Sequence, residues 1–146
     1  MAKDLGSFKA RMNKRADALE AGVNALVKRV GLTADQTVVL ATPVDKGRAR
    51  SNWIVTLNAP NSGTIDPYSP GNLLGIGETA NAQAAINQAR TVIETRKSGQ
   101  SIHITNNLDY IKPLNEGSSK QAPANFVGKA VLTAIHAVKS SRVIKA

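Results

Sequence analysis

Four groups of residues carry side chains capable of chemistry. Gly75-x-Gly77-x-x-Ala80 has the outline of the glycine turn that wraps a dinucleotide pyrophosphate. That chemistry requires a buried strand before the first glycine, a helix opening at the third position and an acid about twenty residues on. The residues before Gly75 are DPYSPGNLL, a loop composition, so the match reads as a glycine loop and not as a nucleotide site. His103 and His136 offer imidazoles, yet zinc takes three or four ligands and no ligand spacing surrounds either one. Asp45, Asp109 and Glu116 are scattered acids that would have to converge before they could share general acid–base work. Ser51, Ser118 and Ser119 lack the G-x-S-x-G frame that presents a nucleophilic serine. The expectation is a protein without catalytic, metal-binding or cofactor-binding residues.

The densest stretch of distinctive residues is TPVDKGRARSNWIV, 42–55. Pro43 ends a preceding helix and biases Thr42 away from helical geometry. Asp45 suits a cap for the next turn, and Gly47 supplies a backbone angle other residues resist. Arg48 and Arg50, two apart, point the same way if the segment is extended. Trp53, the one tryptophan, is expected to anchor a new strand in the core. The stretch therefore reads as a helix-to-strand joint, with an arginine pair available to a partner.

The chain has 146 residues, 19 Lys and Arg against 10 Asp and Glu, and a formal charge of +9. Ten basic and five acidic residues lie in 1–50, three and four in 51–111, six and one in 112–146. Basic charge is thus concentrated toward both ends, which favours polyanions or an acidic partner. Phe8, Trp53, Tyr68, Tyr110 and Phe126 are too sparse for a base-stacking platform. The absence of cysteine excludes disulfides and thiolate sites. No run of about 18 apolar residues is long enough to span a membrane, and MAKDLGSFKARMNKR has no apolar leader core.

The elements that must carry these residues follow from periodicity. Phe8, Met12, Leu19, Val23, Leu26, Val27 and Val30 recur at three and four, predicting an amphipathic helix over 4–30. Gly31 marks a break, and Thr33 with Gln36 forms a capping box for a continuation to about 41. SNWIVTLN, 51–58, reads as a strand and 59–80 as a long loop. Residues 81–95 read as a helix burying Ala85, Ile86, Ala89, Val92 and Ile93, and 101–106 as a half-buried strand. A polar loop over 114–126 leads to a last helix over 123–143. That helix has Pro123 in its first turn and one apolar face of Phe126, Val127, Ala130, Val131, Ala134, Ile135 and Val138. This order predicts one α+β domain, 1–146: a small sheet of a few strands packed with a long basic N-terminal helix, a middle helix and a C-terminal helix. Trp53, Ile54, Ile102, Ile104, Tyr110, Phe126 and Val131 are the expected core.

ATPVDKGRARSNW also resembles the A-T-P-V-D-T-G-R-x-R-x-N-W stretch of a family of tailed-bacteriophage neck and tail-completion proteins, the minor tail or head–tail joining components. The likeness continues through PYSPG, an alanine-rich helix and GQSIHITNNLDYIKPLNEGSSKQAPANFV, covering roughly 35–138 in the same order. Asn125 stands where the family commonly has glycine, Lys46 where it has a small residue, and SSK where it often has an aromatic-containing tripeptide.

The resemblance implies a non-enzymatic virion protein of the neck, assembled in the host cytoplasm. It would form a ring homo-oligomer of about six or twelve copies around the DNA channel, against portal-side adaptor, other neck and tail proteins. A tail-terminator or head-closure ring at another neck level is the nearest alternative; a basic DNA-binding protein is the alternative of another class. On this reading Pro67, Tyr68, Pro70, Gly71, Glu116, Gly117, Ser118, Lys120 and Gln121 are the subunit or partner contacts. Lys9, Lys14, Arg15, Arg48 and Arg50 are the residues that would face packaged DNA. Removal of 66–77 is expected to leave the domain folded.

Overall fold

The computed structural model describes residues 2–44, 47–70 and 78–141. Among them are five helices and two strands: α1 (Ala2–Ala41), α2 (Arg48–Ser51), β1 (Ile54–Leu57), α3 (Glu78–Glu94), β2 (Ile102–Thr105), α4 (Ile111–Asn115) and α5 (Phe126–Val138). The architecture is α+β, as expected. Gly71, Gly75, Gly77, Asp45 and Lys46, singled out in the sequence, lie outside the described residues.

α1 runs 40 residues without a break, about 60 Å at 1.5 Å per residue. Gly31 does not interrupt it. A Cβ there would meet Ile102 Cδ1 at 2.8 Å, so this glycine lets β2 approach the helix closely. Thr33 is not a cap either: its carbonyl accepts the Thr37 hydroxyl at 2.7 Å inside the continuous helix. The helix stops where Pro43 denies it a further N–H, and the Thr42 hydroxyl donates back to Val38 O at 2.6 Å.

The sheet is an antiparallel pair with Ile54 opposite Thr105, Val55 opposite Ile104 and Leu57 opposite Ile102. The outer edge of β1 is covered by a side chain. Gln88 of α3 accepts from Val55 N at 3.2 Å and donates to Val55 O at 3.0 Å, so one amide imitates a neighbouring strand. α3 can lie this close because Ala82, Ala85 and Ala89, all buried, keep its inner face small. Its burial of Ala85, Ile86, Ala89 and Ile93 agrees with the sequence expectation.

The main core joins Val38 and Val39 of α1, Trp53, Ala82, Ala85 and Ile86 of α3, and Phe126 and Ala130 of α5. It therefore grips only the C-terminal part of α1. Residues 4–21 are exposed without exception. Tyr110 and Val131 are not core: they are 42% and 49% exposed. The α5 face is also narrower than expected, since Ile135 as well as Val131 is exposed. Pro123 precedes α5, whose N-cap is Asn125 at φ 60°, accepting from Gly128 N. A left-handed cap is reached easily by glycine and tolerated by asparagine, which fits Asn125 at this position. Between α1, β2 and α5 lies an apolar groove of about 410 Å3 lined by Leu26, Val27, Val30, Gly31, Ala34, Ile102, Ile104 and Val131.

Candidate functional site

The 42–53 stretch is a joint in which Thr42, Ser51 and Asn52 turn their polar groups inward. Thr42, Gly47, Ser51, Asn52 and Trp53 are all buried. Trp53 Nε1 donates to the Thr42 hydroxyl at 2.7 Å, tying the strand entrance to the end of α1. Arg48–Ser51 is a helical turn, α2, and not an extended segment, so Arg48 and Arg50 do not share a direction. Arg48 is exposed. Arg50 turns back and donates to Thr42 O at 3.0 Å and Leu40 O at 3.2 Å, a cation on the carbonyl end of α1.

Two buried asparagines fasten the following loop. Asn52 accepts from Ile65 N at 2.8 Å and donates to Ile65 O at 2.8 Å. Asn81 accepts from Ser69 N at 2.8 Å and donates to Ser69 O at 2.8 Å. The Ser51 hydroxyl has Asn81 Oδ1 at 2.9 Å and Gly47 O at 3.0 Å as acceptors, and takes Tyr68 N at 3.3 Å. Gly47 closes the packing: it has φ 77°, and a Cβ would meet Asn81 Nδ2 at 2.2 Å. Residues 65–69 are thus part of the body. The expectation that 66–77 can be removed without loss of the fold runs against these bonds, because removal would orphan a buried amide.

Outside the joint, Pro43, Val44, Arg48 and Ala49 form one wall of an open cleft of about 410 Å3. Tyr110, Leu114, Ser119 and Gln121 form the other. Gln121 Oε1 accepts from Val44 N at 3.0 Å and bridges the two walls. Arg48 and Gln121, read from sequence as belonging to different surfaces, therefore meet here. Glu116, Gly117, Ser118 and Lys120 are exposed nearby in chain, on the turn that follows α4. Pro67 is half-buried, and Tyr68 and Pro70 are exposed, on the loop fastened by Asn81. Lys9, Lys14 and Arg15 sit on the exposed half of α1 and share no surface with Arg48.

One buried group was not singled out from sequence. Asp35 is fully buried, and neither carboxylate oxygen has a hydrogen-bond partner. Burial pushes its carboxyl up from 3.8 to about 7. The Tyr68 phenol is pushed up by partial burial and by the charge of Asp35. The signal for Asp35 was available: it lies three and four residues before Val38 and Val39, on the apolar side of the helix.

No family model, curated protein or solved structure matches the chain. The geometry must therefore carry the reading. Among the described residues no group of three His, Cys, Asp or Glu side chains is placed to hold a metal ion. His103 Nε2 lies 3.0 Å from the Ser101 hydroxyl, and His136 is exposed on α5. Asp109 and Glu116 are exposed and belong to no cluster with a histidine. No helix among the described residues is long and apolar enough to cross a membrane.

Proposed function

We propose that this chain is a structural subunit of a tailed-phage neck, one copy in a ring that joins or completes the tail around the DNA channel, and that it catalyses no reaction. The observation that carries this reading is the use made of the 42–53 side chains. Thr42, Gly47, Asn52 and Trp53, which contribute to the family resemblance, are buried, as is Ser51 beside them, and Thr42, Ser51, Asn52 and Trp53 make internal hydrogen bonds. A site for substrate would hold such groups open toward a ligand. What faces outward instead is an arginine-bearing cleft, a turn of polar residues and a long exposed helix, surfaces suited to neighbouring macromolecules.

The test is the copy number of the chain in purified, DNA-filled tailed particles, measured by quantitative mass spectrometry. A closed neck ring predicts about six or twelve copies per particle. Absence from particles, or a number in the hundreds, removes the neck reading. The charge of +9 and the exposure of Lys9, Lys14 and Arg15 favour one second reading, direct DNA binding. Tight binding of duplex DNA by the isolated chain, falling steeply with salt, would select it.

A further inference from the structure

The exposed half of α1 carries more apolar surface than a free helix needs. Leu5, Phe8, Met12, Leu19 and Val23 are 71%, 54%, 47%, 47% and 44% exposed. At about 100° per residue these five, with Leu26 and Val30, fall within an arc of about 60°. Leu26 and Val30 are also walls of the apolar groove between α1, β2 and α5. One stripe therefore runs down the helix and into a groove that is open beside Ile104 and Val131. The stripe cannot fold back into that groove. The helix is unbroken, and Met12 stands about 21 Å up its axis from Leu26.

We propose that the stripe of one copy lies in the groove of the next, so that Phe8 and Met12 of one subunit seat against Leu26, Ile104 and Val131 of its neighbour. This rests on the ring reading for its closure but not for the contact itself. Area favours a second copy as the occupant. The chain exposes 9457 Å2, whereas a compact monomer of its 15.4 kDa exposes roughly 7,200 Å2. The excess, roughly 2,300 Å2 per chain, exceeds the ~800 Å2 that each partner gives to a standard interface, and so suffices for the two contacts, roughly 1,600 Å2 per subunit, of a head-to-tail assembly. Volume agrees: about 150 Å3 accommodates a benzene-sized group, so a groove of about 410 Å3 takes two or three such side chains.

Charge disfavours the simpler pairing of stripe with stripe. An antiparallel pair centred on Met12 sets Lys9 opposite Arg15 and Asp4 opposite Glu20, like against like, and a parallel pair sets Arg15 beside its own copy. Stripe into groove uses two different patches on each subunit, the head-to-tail contact that generates rings or filaments.

The 146-residue chain is to be examined by sedimentation equilibrium up to about 500 µM, a range that reveals even weak association. Three samples are compared: the wild type, a stripe variant (Phe8→Glu with Met12→Glu) and a groove variant (Val131→Glu). All three substituted side chains are about half exposed or more, and unchanged melting curves verify their folds. The wild type is expected to associate, and each variant to do so at least tenfold more weakly. Mixing the two variants should give a one-to-one dimer and stop there, because the mixture holds one intact stripe and one intact groove. Salt at about 1 M should strengthen association by screening the repulsion between like-charged copies.

The chain has no cysteine, so Met12→Cys with Val131→Cys should give disulfide-linked multimers only between chains. A monomeric wild type, a stripe variant that associates normally, or a mixture that stays monomeric overturns the proposal. A monomer in solution that is nonetheless present at about six or twelve copies per particle would sink this contact and leave the neck reading standing. The converse result would separate the two in the other direction.

Discussion

Asp35 makes folding stability depend on pH with an unusual sign. Its carboxyl is fully buried without a hydrogen-bond partner and titrates at about 7, against 3.8 for the free group. Below 3.8 the group is neutral in both folded and unfolded chains and costs nothing. Between 3.8 and about 7 the unfolded chain has lost the proton while the folded chain keeps it. The folded state then binds more protons, so stability falls as pH rises, and the loss is complete above about 7. At about 1.36 kcal/mol per pH unit the gap corresponds to about 4 kcal/mol. The assay is urea unfolding of the wild type and Asp35→Asn from about pH 4 to pH 8, compared as a difference so that other titrating groups cancel. Asp35→Asn should gain on the wild type by up to about 4 kcal/mol across that range. A difference that stays flat, or that moves in favour of the wild type as pH rises, would refute the claim that this carboxyl is buried without compensation.

Other substitutions test the joint. Trp53→Ala removes a core ring and the donor to Thr42, and should cost about 3–5 kcal/mol in chemical unfolding. Trp53→Phe keeps most of the ring and should cost about 1–3 kcal/mol through the lost hydrogen bond. Gly47→Ala should cost at least about 1–2 kcal/mol from the left-handed backbone, and more because its methyl meets the Asn81 amide. Asn81→Ala leaves Ser69 N and O without their side-chain partner. It should destabilise by about 1–3 kcal/mol and make the chain near Ser69 a preferred site of limited proteolysis, which mass spectrometry of the fragments would locate.

The parts of the fold that were legible in the sequence are those where periodicity and burial coincide. α3 could be read because its alanines and isoleucines recur on one face, and β2 because Ile102 and Ile104 alternate with polar residues. Gly31 was misread because glycine in a helix has two opposite explanations, a stop and a close approach. Only the position of Ile102 across from it selects the second. Val131 and Tyr110 look like core residues by type, yet Val131 lines a groove that α1 and β2 leave open and Tyr110 lines the cleft beside Arg48. The helical turn at Arg48–Ser51 was invisible because its four residues have no period to display. It is held by the Leu40 and Thr42 carbonyls at the end of α1, eight to ten residues back, and by the Asn81 amide, 30 residues on.

The joint and the exposed helix are mechanically one device. α1 leaves the body in a direction set by its packing against α3 and α5 and by the bonds of Lys28 to Glu94 O and Arg29 to Ser141, and its last turns are held in addition by Trp53 on Thr42 and by Arg50 on Leu40 O and Thr42 O. Residues 4–21 are free, and about the same length of helix, 22–41, is held on the body. Residues 4–21 extend about 27 Å, so a tilt of about 10° where the helix leaves the body moves the tip by about 5 Å, roughly one helical turn. Interfaces tolerate far less misplacement than that at their packed centres. Trp53→Phe or Arg50→Gln should therefore weaken self-association by more than the same variants disturb the core. Neither residue lies on the stripe or the groove. Equal self-association in these variants and the wild type, measured on folded protein, would mean that the direction of α1 is set elsewhere or is not needed for the contact.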